Sequence, residues 1–144
     1  MAIPLQSVSN PEVVRIPLAN ASGGTATDTL IICTGIAVFD FSSGAFGTSR
    51  DTLIFAIPDE NGSPLSVAPA RLVNSAATAS PSSFKPGAGE TLFAVDRVDI
   101  TQSDAEEGQI FLNADLVVGG IASLFRIAYQ VNLLVRVDAG PPLS

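Results

Sequence analysis

From Leu124 to Val137 the chain alternates strictly. Phe125, Ile127, Tyr129, Val131, Leu133, Val135 and Val137 fall in one phase; Arg126, Gln130, Asn132, Arg136 and Asp138 fall in the other, with Ala128 and Leu134 among them. Successive side chains of an extended chain point to opposite faces, whereas a helix gathers residues three and four apart. A period of two sustained over this length fixes the segment as a strand with one buried and one wetter face.

The rest of the chain repeats the theme in shorter pieces, and no helical period competes with it. Gln109–Val118 sets Ile110, Leu112, Ala114, Leu116 and Val118 inward, and Gly119-Gly120 begins the next turn. Thr91–Thr101 carries Phe93 and Val95 in one phase and Val98 and Ile100 in the other, so a β-bulge or a change of sheet is expected near Asp96–Arg97. Thr29–Phe41 is a long strand with apolar residues on both faces: Ile31, Cys33, Ala37, Phe39 and Phe41 on one, Leu30, Ile32, Ile36 and Val38 on the other. Thr52–Ile57 is also apolar on both faces. Glu12–Ala19 separates Val14, Ile16 and Leu18 from Val13, Arg15 and Pro17, and Pro17, having no N–H to give a ladder, marks an edge strand.

Between these lie turn signals. Pro58–Pro64 contains Asn-Gly and reads as a tight turn into a strand at Leu65–Val73. Asn20–Asp28 and Ser42–Arg50 read as loops, and Asn74–Gly89, rich in Ser, Ala, Pro and Gly, as a long exposed loop. At 144 residues the chain is one ordinary domain. The sum is an all-β fold: a single-domain antiparallel β-sandwich, jelly-roll or Greek-key like, with seven strands, or eight if Ile3–Val8 adds one. Residues 1–11 form an N-terminal arm, 12–138 the sandwich and 139–144 a C-terminal tail.

The arm carries Ile3, Leu5 and Val8 and ends in Asn10-Pro11, a step that lets it leave the line of the following strand. It has two fates: to fold back on its own sheet edge, or to add to an edge strand of another copy. The surplus apolar surface of Thr29–Phe41 makes the second the expectation.

Composition matters most for what it removes. With no histidine, imidazole-based triads and general bases are out of reach, and with a single cysteine there is neither an internal disulfide nor a thiolate zinc site. Cys33 sits among apolar neighbours and reads as a small buried hydrophobe. The net charge is −7, and the seven basic residues are scattered singly, so neither nucleic acid nor an anionic membrane surface is an expected partner. No apolar run is long enough for a membrane helix, and the first residues, MAIPLQSVSNPE, lack the pattern of a signal peptide. A virion or extracellular surface is the favoured location.

Candidate sites are few. The turn Asp59-Glu60-Asn61-Gly62 and the acidic run Asp104, Glu106, Glu107 hold oxygen ligands of the kind calcium takes, but without the spacing of a calcium loop. Each reads equally as an ordinary polar turn. Asp96 and Asp99 lie three apart and fall on opposite faces of the strand unless the bulge intervenes, so the sequence does not place them as a glycosidase pair. Tyr129 reads as a core residue whose hydroxyl reaches a partner at the rim. The Gly87–Gly89 pair precedes a strand, not a helix, and is a turn rather than a phosphate cradle. No catalytic, cofactor or metal residue is assigned. The expectation is a non-enzymatic structural subunit of a larger particle, with a small-ligand or carbohydrate-binding module as the alternative and a carboxylate-only enzyme a distant third.

Overall fold

The computed structural model describes residues 5–18, 28–40, 48–87, 89–103, 108–120 and 122–136. Within them eight strands form two antiparallel sheets, as the alternation requires, and there is no α-helix. The strands are β1 (Leu5–Val8), β2 (Glu12–Leu18), β3 (Asp28–Phe39), β4 (Thr48–Ala56), β5 (Leu72–Pro86), β6 (Leu92–Gln102), β7 (Ile110–Gly119) and β8 (Ala122–Arg136). One sheet runs β1-β3-β8-β5 with β2 also on β3; the other runs β4-β7-β6. Thus β3 and β4 wind together with β7 and β8, and β5 and β6 continue on the far side of β8 and β7. This is the rolled-up winding of a jelly roll.

The inward phase read from β7 holds in full, and that from β8 holds from Phe125 to Leu133, with Val135 half-buried. Ile110, Leu112, Ala114, Leu116 and Val118 are sealed, as are Phe125, Ile127, Val131 and Leu133, while Tyr129 is all but sealed. Facing them are Ile31, Cys33, Ala37 and Phe39 of β3 and Leu53 and Phe55 of β4, followed by Ile57. An aromatic cluster fills one end of the core. Phe125 stacks on Phe39 at 5.5 Å and meets Phe93 edge-on at 5.0 Å, joining the two sheets. The expected irregularity in β6 is a register shift between Val95 and Arg97 against β7.

Three expectations are corrected. Asn74–Gly89 is mostly not a loop: β5 occupies most of it and pairs with β8 along its length. Its inward positions Ala77 and Ala79 are small because the Ile127, Tyr129 and Val131 side chains beside them already supply the apolar bulk. As an edge strand it tolerates Pro81, and bulges flank Ser83. Leu65–Val73 is not a strand. Leu65 and Val67 are buried and bonded to Ile57, Ile110 and Gly108, after which Pro69–Arg71 makes a 3-10 turn. The arm, finally, neither leaves its line nor its own chain. β1 pairs with residues 37–39 of β3 and β2 with residues 28–34, so the two form one interrupted edge strand. Ser9 bridges the interruption: its N–H donates to the Ile36 carbonyl, and its hydroxyl accepts from the Ile36 N–H at 3.1 Å.

The loops expected at Asn20–Asp28 and Ser42–Arg50 lie largely outside the described residues, as do Phe41, the acidic run 104–107, Val137, residues 1–4 and the tail 139–144. No helix is long and apolar enough to cross a membrane among the described residues.

Candidate functional site

Cross-strand partners in an antiparallel sheet share a face, so the pairing registers lay out the two outer surfaces of the sandwich. On the three-stranded sheet the outward residues are mixed: Leu92, Ala94, Val117, Ile54, Phe111 and Ala56 are apolar, and the polar residues among them are paired. Arg50 is ion-paired with Asp96, and Arg97 with Asp99 at 2.8 Å. The Thr52 hydroxyl donates to Asp115 at 2.7 Å and the Asn113 amide to Thr101 at 3.0 Å. Ile54 and Leu92 on this face are 49% and 47% exposed, and Phe111 and Val117 are half-buried.

On the five-stranded sheet the outward phase of β2 and β3 is apolar over two adjacent levels, to which β8 adds Leu134 on one and Asn132 on the other. One level runs Ile16–Leu30–Leu134–Asn74 and the next Val14–Ile32–Asn132–Ala76 across β2, β3, β8 and β5. Leu18 continues the stripe beside Asp28 and Arg136. Val14, Ile16 and Leu18 are 43%, 39% and 38% exposed, and Leu30, Ile32 and Leu134 are half-buried. These are the surplus apolar residues read on the second face of Thr29–Phe41, now joined by β2 and β8.

Next to this patch, over Gly35, the same face is hollowed. A depression of about 550 Å³ is lined by the polar residues Glu12, Thr34, Thr78, Ser80 and Gln130 together with Ile36, Ala128 and Tyr129. Gly35 is required there: its Cα partner is Tyr129, and a Cβ on residue 35 would fall 2.6 Å from the Tyr129 hydroxyl. The tyrosine ring therefore lies across the strand on the inner side, edge-on to Phe55 at 5.4 Å. The hydroxyl does not reach a rim partner, contrary to expectation; it is buried without a hydrogen bond, and desolvation pushes its pKa up.

The sequence candidates are brought to different ends. Asp59 folds its own turn: its carboxylate accepts from the Asn61 N–H at 2.8 Å and the Ser63 N–H at 3.0 Å, with Gly62 at a φ of 84°. Glu60 turns away to Arg15, accepting from both guanidinium nitrogens at 2.5 and 3.1 Å. That hydrogen bond, with the positive charge beside it, holds the Glu60 carboxyl below its usual range. The pairing therefore contributes above the ordinary glutamate pKa and fades as pH falls through the lowered one. Its exposure keeps the contribution small. Asp59, Glu60 and Asn61 thus do not converge on a point. Asp96 and Asp99, likewise, are committed to Arg50 and Arg97. Cys33 is sealed, its Sγ 3.8 Å from the Pro58 carbonyl, and burial pushes its thiol up to about 11. Gly87 and Gly89 lie in the connection from β5 to β6. Among the described residues no group of three or more acidic or cysteine side chains is placed to hold a metal ion. EDTA is accordingly expected to leave the melting temperature unchanged; a drop of several degrees would return the acidic turns to consideration as calcium ligands.

The apolar stripe was half legible in sequence. The two-faced character of β3 was plain, but that Ile16 and Leu134 would flank Leu30 required the strand order. The chain matches no family model, no curated protein and no solved structure.

Proposed function

We propose that this chain is a non-enzymatic structural subunit that works by assembling into a larger particle, such as a capsid or its decoration, a phage-like fibre or a surface filament. The observation that carries the reading is the contiguous apolar set Val14, Ile16, Leu18, Leu30, Ile32 and Leu134 on the outer face of the five-stranded sheet. Isolated exposed apolar residues are ordinary, but a contiguous set on a flat sheet is the usual mark of a docking surface. Covering Val14, Ile16 and Leu18 alone would contribute on the order of 1 kcal/mol each. Light scattering after size exclusion tests the reading: at micromolar concentration the mass should be a multiple of 14.8 kDa. A mass of one chain throughout would contradict it.

The depression over Gly35 favours a second reading, a module that binds a small polar ligand or carbohydrate. The hydroxyl, amide and carboxylate groups in its lining, beside Ile36 and Ala128, suit such a ligand. The missing element is an aromatic platform, since the Tyr129 ring is turned into the core. A strictly monomeric protein would shift the balance to this alternative.

A further inference from the structure

We propose that the hollow over Gly35 takes a sugar with a free ammonium group, an unacetylated amino sugar, and that Glu12 is its counter-charge; the proposal rests on the second reading above. Three observations lead to it.

The first is the layout of the polar groups. The pairing registers set Glu12, Thr34, Gln130 and Thr78 in one row across β2, β3, β8 and β5, about 4.8 Å from one strand to the next. Among the described residues nothing pairs with the Glu12 carboxylate or with the Thr34 and Thr78 hydroxyls, and the Gln130 amide donates to Asn132 at 3.2 Å. On the other sheet the polar residues satisfy one another, Thr52 with Asp115 and Asn113 with Thr101. A row of open donors and acceptors at strand spacing suits a ligand with several hydroxyls.

The second is the floor beside that row. The next level runs Ile36–Ala128–Ser80. Ile36 is 38% exposed, and Ala128 is too small to fill the space above it. A pyranose ring has an apolar C–H face and a rim of hydroxyls. Ile36 and Ala128 meet the first and the polar row meets the second, an aliphatic floor in place of an aromatic platform. The volume of about 550 Å³ falls within the range of small-ligand sites, about 300–1,000 Å³.

The third is charge. Glu12 is the one charged residue among the described lining residues, and the whole chain carries −7. Both repel phosphate, sulfate and uronate groups, whereas a lone carboxylate among hydroxyls is matched by one ammonium. Because Glu12 is exposed, that match changes affinity several-fold rather than by orders of magnitude.

Amide NMR shifts of the full chain at physiological salt test the proposal with matched probes: a glucosamine oligomer, its N-acetylated form, a glucose oligomer of the same length and linkage, and spermidine. The glucosamine oligomer should move Thr34, Thr78 and Gln130 and leave Thr101 and Asn113 on the other sheet in place. Glu12→Gln should weaken its binding several-fold with the melting temperature unchanged. Thr78→Lys, which puts a positive charge into the row, should abolish it. Equal binding of the N-acetylated or glucose oligomer, or an unchanged affinity in Glu12→Gln, would overturn the ammonium assignment and leave the ligand-binding reading standing. The same shifts with spermidine would overturn the sugar, showing attraction of charge alone. Shifts centred on Asp59 and Glu60 instead would overturn the site. No binding by any of the saccharides would remove this proposal and the ligand-binding reading together.

Discussion

Phe125→Ala should destabilise the protein by about 3–5 kcal/mol, the usual cost of emptying a core aromatic site. Phe125 is fully buried and is the centre of the aromatic cluster, with ring centroids 5.5 Å from Phe39, 5.0 Å from Phe93 and 5.9 Å from Phe84. Those partners come from β3, β6 and β5, so the one side chain touches both sheets and the edge where β5 approaches β6. Little in a close-packed core can relax into the space without moving a strand. Urea unfolding measures the loss: the midpoint should fall steeply at unchanged slope. A midpoint that hardly moves would mean that this phase of β8 does not face the core.

Gly120→Ala should be strongly destabilising, as should Gly108→Ala, whose Cβ would lie against the Val67 carbonyl oxygen. Gly120 has a φ of 90°, and a Cβ there would lie against the Glu90 carbonyl oxygen, with the Thr91 Cα only 3.2 Å away. The left-handed backbone alone costs about 1–3 kcal/mol for a residue with a side chain. The clash adds to this, because it is with backbone and not with a flexible side-chain end: the β7–β8 turn and the entry to β6 must separate. Gly89→Ala is the control, since Gly89 has a similar φ of 83° but nothing within 4 Å of the added carbon. Thermal unfolding should show a small loss for Gly89→Ala and a much larger one for Gly120→Ala. Equal losses would show that the approach of Glu90 to the turn is not tight.

Where burial and period coincide, the fold was legible before any coordinates. β7 along its length and β8 from Phe125 to Leu133 are buried on one face, so each of those inward positions needs an apolar residue and the pattern there is complete. The bulge in β6 was legible for the same reason, because the apolar phase must change where the register slips between Val95 and Arg97. β5 escaped because its period is written in small residues. Ala77 and Ala79 alternate with Thr78 and Ser80, a contrast too weak to stand out among the neighbouring Ser and Pro. Its strand character comes from β8, which supplies both the ladder and the apolar bulk; a tertiary partner overrides local propensity here.

The arm shows the opposite error. Asn10-Pro11 does break the strand, as the residue types imply, but a break in pairing is not a change of direction, and Ser9 carries the chain across it in line. The hydroxyl of Tyr129 could not be placed from sequence either, because its surroundings depend on Gly35 lying opposite it in another strand. The candidate site was divided in the same way. The apolar second face of β3 follows from its residues, whereas its union with Ile16 and Leu134, and the polar hollow beside it, follow only from the strand order.

The central claim is that the apolar face of the five-stranded sheet is covered when the protein assembles, and hydroxyl-radical footprinting of side chains across a concentration series tests it most directly. Val14, Ile16 and Leu18 start with exposures of 43%, 39% and 38%, comparable to the 49% of Ile54 and the 47% of Leu92 elsewhere on the surface. As concentration rises, labelling of Val14, Ile16 and Leu18 should fall several-fold while that of Ile54 and Leu92 stays constant. Labelling that remains constant at all five residues, or that falls at Ile54 instead, would contradict the account.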